Sequence, residues 1–175
     1  MKVLKFGGTS VANSKSLLNV IDIVKESNDR KILVVSALGG ITNLLDEMST
    51  QASKGESNYK DKLQILENRH LDLIEFFIPV TRQSEIISFL KSQINELEEV
   101  LESLFTLNEL TSKSLAKILS FGETLSSNII YSVLKHKECD IELKDSRQII
   151  FTKTVNDREI VDHNKSEKKN KSISK

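Results

Sequence analysis

The sequence predicts an α/β fold, a parallel-rich sheet with helices on both faces, carrying a helical-hairpin insertion. Two short apolar runs each end in a glycine pair, Gly7-Gly8 and Gly39-Gly40, and each pair is followed by apolar residues at helical spacing. Alternation of strand and helix favours parallel pairing. The stretch between Ser53 and Leu119 holds one glycine, one proline (Pro79) and no convincing strand, which marks it as helical.

Taken in order, Lys2 to Phe6 read as a short buried strand and Gly7-Gly8-Thr9-Ser10 as a turn whose hydroxyls cap the next helix. Leu17, Leu18, Ile21 and Val24 form that helix's apolar face. Ile32 to Val35 are a second, β-branched strand, and Ser36 to Gly40 a second turn. The following helix opens near Thr42, which suits an N-cap, and carries Leu44, Leu45 and Met48. Tyr59, Leu63, Leu66, His70, Leu73 and Phe77 alternate spacings of four and three. Ile87, Leu90, Ile94, Leu97, Leu101 and Leu104 do the same beyond Ile78-Pro79, so residues from about 57 to 119 are expected to contain an antiparallel helical hairpin. A third helix from about Leu107 leads to a turn at Ser120-Phe121-Gly122-Glu123, and a fourth starts at Glu123 with Leu125, Ile129, Ile130, Val133 and Leu134. Strands are expected near Asp140 to Leu143 and Ile149 to Thr152. The last fourteen residues, 162–175, hold five Lys and a single aliphatic residue, Ile173, and read as a disordered basic tail after a domain of residues 1–161.

With 175 residues, 38% apolar and 29% charged, the chain is globular in composition. Lys plus Arg number 25 and Asp plus Glu 25, so no net field favours nucleic acid or an anionic membrane. The single cysteine, Cys139, excludes an internal disulfide and offers no zinc set. No apolar run is long enough to span a bilayer, and the chain is expected to be cytoplasmic.

A glycine pair at the carboxyl end of a parallel strand lets backbone N–H groups face a ligand with no Cβ in the way, which suits phosphate. Lys5, separated from the first pair by Phe6, is placed to reach an anion over that turn. Neither Gly-x-x-x-x-Gly-Lys-Ser/Thr nor Gly-x-Gly-x-x-Gly occurs. The second turn, with Ser36, Gly39, Gly40, Thr42 and Asn43, is expected to face the first across neighbouring strands. Glu123, at a helix start, would be stabilised by the helix dipole and could bind a substrate ammonium. His70 lies on the apolar stripe and is expected to pack in the hairpin seam. No His/Cys/Asp/Glu set points to a resident metal.

The segment Lys5-Phe6-Gly7-Gly8-Thr9-Ser10-Val11-Ala12-Asn13 closely resembles the N-terminal signature of aspartate kinases, in the amino-acid kinase superfamily. Val35 to Leu45 looks like the family's second motif and Ser120-Phe121-Gly122-Glu123 like its third. The opening and the helical insertion are most similar to the kinase half of bifunctional aspartokinase/homoserine dehydrogenases, and the likeness covers roughly Met1 to Val161. It implies an α/β/α sandwich and transfer of a phosphoryl group from MgATP to the β-carboxylate of L-aspartate, giving 4-phospho-L-aspartate for lysine, threonine and methionine synthesis. In that reading Lys5 stabilises the transferring group, and Gly7, Gly8, Thr9 and Ser10 hold phosphate. Ser36, Gly39, Gly40, Thr42 and Glu123 line the aspartate site, with the glutamate on the substrate amine. The cofactors are ATP and Mg2+.

The sequence departs from the family in containing no Arg-Gly-Gly-Ser-Asp segment. The expectation is therefore an incomplete domain with little activity alone, whose partners are L-aspartate and either a homo-oligomer or a missing C-terminal half. A sheet lacking its further strands should show an unpaired edge and uncovered apolar surface. The alternatives are a non-catalytic interaction module, or pseudoenzyme, that uses the hairpin to bind a partner helix, and another kinase that forms acyl phosphates.

Overall fold

The computed structural model describes residues 1–26, 29–155 and 158–173. The chain divides into two units, Met1–Ile141 and Glu142–Lys175, so the compact unit ends ahead of Val161, where the sequence had placed its boundary.

In the first unit, β1 (Lys2–Phe6) pairs in parallel with β2 (Lys31–Val35), Lys2 opposite Lys31 and Phe6 opposite Val35. The ladder runs one step past the strands, where the Ser36 amide donates to the Phe6 carbonyl at 3.1 Å. Between the strands lie a 3-10 turn, Gly8–Val11, and α1 (Ser14–Lys25). The cap of α1 is Asn13, whose side chain accepts from the Ser16 amide; Thr9 and Ser10 belong to the 3-10 turn and do not cap it. Leu17, Val20 and Ile21 are the residues α1 buries.

Four helices form the bulk of the core: α2 (Ile41–Ser53), α3 (Tyr59–Phe77), α4 (Ser84–Leu107) and α5 (Ser112–His136). The predicted hairpin is present and antiparallel. Tyr59 at the start of α3 packs at a tilt against Phe105 near the end of α4 with ring centroids 6.0 Å apart, Lys60 pairs with Glu102 at 3.6 Å, and Glu67 pairs with Lys91. Its stripes are turned inward: Tyr59, Leu63, Leu66, His70, Leu73 and Phe77 are buried with Leu90, Ile94, Leu97, Leu101 and Leu104. A helix-binding module would have to present these residues outward, so that alternative loses its main support.

Four sequence expectations are corrected in this region and beyond. The turn expected at Ser120–Glu123 does not exist: α5 runs through it without a break, so Glu123 is a mid-helix residue rather than a first-turn carboxylate at a positive dipole end. The helix expected from Leu107 starts instead at Ser112, because Asn108 ends α4 in the left-handed conformation (φ 52°) and Thr111 with Ser114 forms a reciprocal capping box. Residues 140–143 are not a strand. In the second unit the strands are β3 (Thr152–Val155) and β4 (Arg158–Val161), an antiparallel pair, and the tail expected to be disordered is helical over α6 (His163–Ile173). Local hydrogen bonds replace the missing core there. Asp162 accepts from the Lys165 amide at 3.0 Å, and the buried Ser166 hydroxyl accepts from the Phe151 amide at 2.9 Å. Residues 174–175 of the expected tail lie outside the described residues.

The α/β class and parallel pairing stand, but helices cover one face of the β1–β2 sheet. Phe6 is buried and Leu4, Leu33 and Val35 pack against the core, while the opposite face leaves Val3 64%, Ile32 45% and Val34 45% exposed. This is the uncovered surface expected of an incomplete sheet. A double variant, Ile32→Thr with Val34→Thr, should therefore change stability by no more than about 1 kcal/mol and lower self-association. Light scattering at rising concentration checks this, and aggregation equal to that of the parent chain would show that another surface drives it.

Candidate functional site

Parallel pairing in register brings the carboxyl ends of β1 and β2 to the same level, so the segments leaving them start side by side. The two glycine turns are in van der Waals contact. A Cβ placed on Gly8 would lie 3.1 Å from the Ala37 carbonyl and 3.4 Å from the Gly39 Cα; one on Gly39 would lie 2.9 Å from the Ala12 Cβ and 3.1 Å from the Gly8 carbonyl. A side chain at Gly39 would force a neighbour to move, and one at Gly8 would press unusually close on the backbone of the second turn. Gly40 has φ +81°, a conformation that disfavours any other residue, and it is the N-cap of α2. Thr42 lies within the first turn of α2 and is exposed, so it is not the cap that the sequence suggested.

Gly7 differs from the other three. Its backbone is extended (φ −75°, ψ 172°), and a Cβ there would meet no atom within 4 Å. The chain's own packing does not demand glycine at this position. The 3-10 turn that follows, closed by the Ser10 amide on the Gly7 carbonyl at 2.9 Å, leaves the amides at its start without an intrahelical acceptor.

The third motif meets the second through close helix approach. A Cβ on Gly122 would lie 2.8 Å from the Ala37 Cβ and 3.3 Å from Leu45 Cδ1, so the missing side chain lets α5 lie directly on the second turn and on α2. The buried Ser126 hydroxyl, one helical turn on, donates to the Ser36 carbonyl at 2.7 Å and pins the same contact. Glu123 projects from α5 beside this contact and is exposed. Lys5 stands on the open sheet face, its Cα paired with Val34, and is exposed as well. Neither Lys5 nor Glu123 takes part in any of the ion pairs among the described residues. Gly8, Gly39, Ser36 and Gly122 are thus brought together by contact; Thr9 and Thr42 are exposed on the same turns.

Two residues of this assembly escape sequence reasoning. Ser126 carries only the signal of a small polar residue on an otherwise apolar helix face. Arg69, on α3, donates from Nη2 to the Gly39 carbonyl at 2.8 Å and to the Ala12 carbonyl at 3.4 Å. An arginine beside an apolar stripe reads as solvated, and nothing local announces such contacts.

His70, next to Arg69, is fully buried, and its Nδ1–H donates to the Leu66 carbonyl at 2.7 Å. A carbonyl only accepts, so the tautomer is fixed and Nε2 carries a lone pair, which has no partner. Burial, against the raising effect of the Leu66 bond and with some help from Arg69, lowers its pKa from 6.5 to about 4. It is a packed structural residue, as the stripe predicted. A surface groove on α4, lined by Glu99, Glu102, Ser103, Thr106 and Leu107, has the wrong charge for phosphate. Among the described residues no group of three or more His, Cys, Asp or Glu is placed to hold a metal ion, and no helix is long and apolar enough to cross a membrane.

The amino acid kinase family model matches residues 1–172. The chain is 32% identical over 148 residues to the bifunctional aspartokinase/homoserine dehydrogenase of Buchnera aphidicola, covering 82% of this chain and 18% of the relative. It is 30% identical over 161 residues to the lysine-sensitive aspartokinase 3 of Escherichia coli, covering 89% of this chain and 32% of the relative. The crystal structure of E. coli aspartokinase III in complex with lysine and aspartate superposes with a TM-score of 0.83 at 22% identity, over 98% of this chain and 37% of that one. The same enzyme in complex with aspartate and ADP gives 0.78 at 24% identity, over 93% of this chain and 35% of that one. The chain thus spans less than two fifths of each of these proteins. The converging glycine turns, the helical hairpin and the family match agree: the chain belongs to the amino acid kinase family.

Proposed function

We propose that this chain carries the acceptor side of an aspartate kinase, binding L-aspartate and the transferring phosphoryl group of MgATP. The observation that carries the reading is the contact of Gly8 with Gly39 and of Gly122 with Ala37, which assembles the three aspartate-kinase-like motifs at one sheet edge. Glu123 offers an exposed carboxylate to the substrate ammonium. Ser36, Gly39, Gly40 and Thr42 supply backbone and hydroxyl groups of the second turn for the rest of the amino acid. Lys5, with the backbone amides of Gly7 and Gly8 and the hydroxyls of Thr9 and Ser10, faces the phosphate.

The open space at the Gly7 Cβ position supports this reading, since it leaves room for a phosphate chain to approach the turn backbone. MgATP, when bound, supplies an electrophilic γ-phosphorus for attack by the substrate carboxylate. The chain needs no nucleophile of its own, and its contribution is positioning and charge neutralisation. The described donor set offers no metal cage, so Mg2+ would be held mainly by the nucleotide phosphates.

With no Arg-Gly-Gly-Ser-Asp segment, the chain lacks the family's partners for the substrate carboxylate. Aspartate-dependent ADP production by the purified chain should be negligible in a coupled assay, and robust turnover would overturn that expectation. Binding is separable from turnover. L-Aspartate at a hundred times its dissociation constant should stabilise the fold by about 2.7 kcal/mol in thermal melts, and Glu123→Ala should remove that gain. No shift with aspartate, or the same shift with glutamate, would contradict the assignment.

A further inference from the structure

We infer that Arg69 is a positioning residue of the proposed site, tying both glycine turns to the helical hairpin so that α3 sets the direction of their amides. This rests on the reading above for the ligand, though not for the geometry. The Arg69 guanidinium lies along the seam where the two turns touch. Nη2 donates to Gly39 O of the second turn at 2.8 Å and to Ala12 O, at the end of the first, at 3.4 Å. The other terminal nitrogen, Nη1, would lie 3.6 Å from a Cβ on Gly40, an ordinary contact, so the fork rests closely on the positive-φ residue that opens α2. The two N–H bonds of Nη2, on a planar, permanently charged group, point in fixed directions and so reach two carbonyls at once; a lysine ammonium on its flexible stem does not fix them.

The consequence follows from the planar trans peptide, in which C=O and N–H point to opposite sides. Holding the Gly39 carbonyl against α3 turns the Gly40 N–H away from α3, and holding the Ala12 carbonyl does the same for the Asn13 N–H. Carbonyl oxygens beside an anion site would repel the ligand. Arg69 engages two of them and adds positive charge at the same edge. The helical insertion thereby acquires a part in the site's geometry, though it supplies none of the three motifs.

The test uses 15N-labelled full chain with Arg69→Met and Arg69→Lys. Six glycines make these amides easy to resolve. In Arg69→Met the amide signals of Gly8, Gly39 and Gly40 should all move while Gly55, at the far end of α2, stays in place. Arg69→Lys should restore only part of the shift. L-Aspartate affinity should fall about tenfold or more in Arg69→Met, the effect of a lost charged hydrogen bond. The melting temperature should change less than in Leu66→Ala, a buried truncation on the same helix.

Movement confined to Gly39 and Gly40, with Gly8 unmoved, would overturn the coupling of the two turns, as would unchanged aspartate affinity in a parent chain that binds. If Arg69→Met fails to fold, Arg69→Lys carries the same comparison. A parent chain that binds no aspartate defeats the proposed function, whereas the glycine signals decide the role of Arg69 in either case.

Discussion

Replacing Gly122 with valine should cost the amino-terminal unit about 3 kcal/mol, a large part of the total for a domain of this size. A Cβ at this position would stand 2.8 Å from the Ala37 Cβ and 3.3 Å from Leu45 Cδ1, so α5 must back away from the second turn. That movement also stretches the Ser126 to Ser36 hydrogen bond, now 2.7 Å, and leaves the Ser126 hydroxyl only its longer 3.3 Å contact with the Glu123 carbonyl. The better helix propensity of valine over glycine recovers only a few tenths of a kcal/mol. Gly7→Ala is the contrast. Its Cβ meets nothing within 4 Å and its backbone is already extended, so its urea midpoint should be no lower than the parent's and slightly higher, by the unfolded-chain entropy that alanine removes. Equal stability of Gly122→Val and parent would show that α5 does not lie on the second turn as described.

Acid should destabilise the chain between about pH 6.5 and pH 4, and His70 should account for most of it. The folded state holds this imidazole neutral, with a pKa lowered from 6.5 to about 4 chiefly by burial. The unfolded chain takes up a proton near pH 6.5, so unfolding is favoured as pH falls through that window and the penalty is complete near pH 4. Above pH 6.5 both states are neutral and the residue contributes no pH dependence. At 1.36 kcal/mol for each pKa unit, the loss is about 3 kcal/mol. His70→Leu should flatten the profile across this range and be neutral or stabilising at pH 7.5, since it also removes the unpartnered Nε2. The carboxylate of Asp145 is held below its usual value by the Arg147 side chain, so its contribution is lost only at lower pH. Chemical denaturation at pH 7.5, 5.5 and 4.5 separates these effects. An unchanged slope in His70→Leu would refute the role given to the histidine.

The parts of this fold legible in the sequence are those set by local pattern. β1 falls on Lys2–Phe6 because an apolar run stops at a glycine pair, and the hairpin stripes fall where alternating fours and threes place them. Gly122 misleads because glycine commonly ends a helix, whereas here it admits a neighbour. Ile118, Phe121, Leu125, Ile129 and Val133 keep helical spacing across it, and that unbroken period was the signal for one helix. The tail misleads differently. Its composition excludes a core, yet the segment is helical, with Asp162 accepting from the Lys165 amide and the Ser166 hydroxyl from the Phe151 amide. In the site, Lys5, Gly7, Gly8, Gly39, Gly40 and Glu123 stood out by motif. Ser126 and Arg69 act on the site's backbone from other helices, across 90 and 30 positions of sequence in their bonds to Ser36 and Gly39, and no local pattern encodes that.

In the proposed reading the chain holds a preformed aspartate site. Isothermal titration of the folded, purified chain with L-aspartate, with and without MgATP and with Glu123→Ala as control, tests it most directly. Saturable one-to-one binding that disappears in the variant is the result this account predicts. Absence of heat from a parent chain that melts cooperatively would contradict it, and the three converging motifs would then be inherited packing rather than a working site.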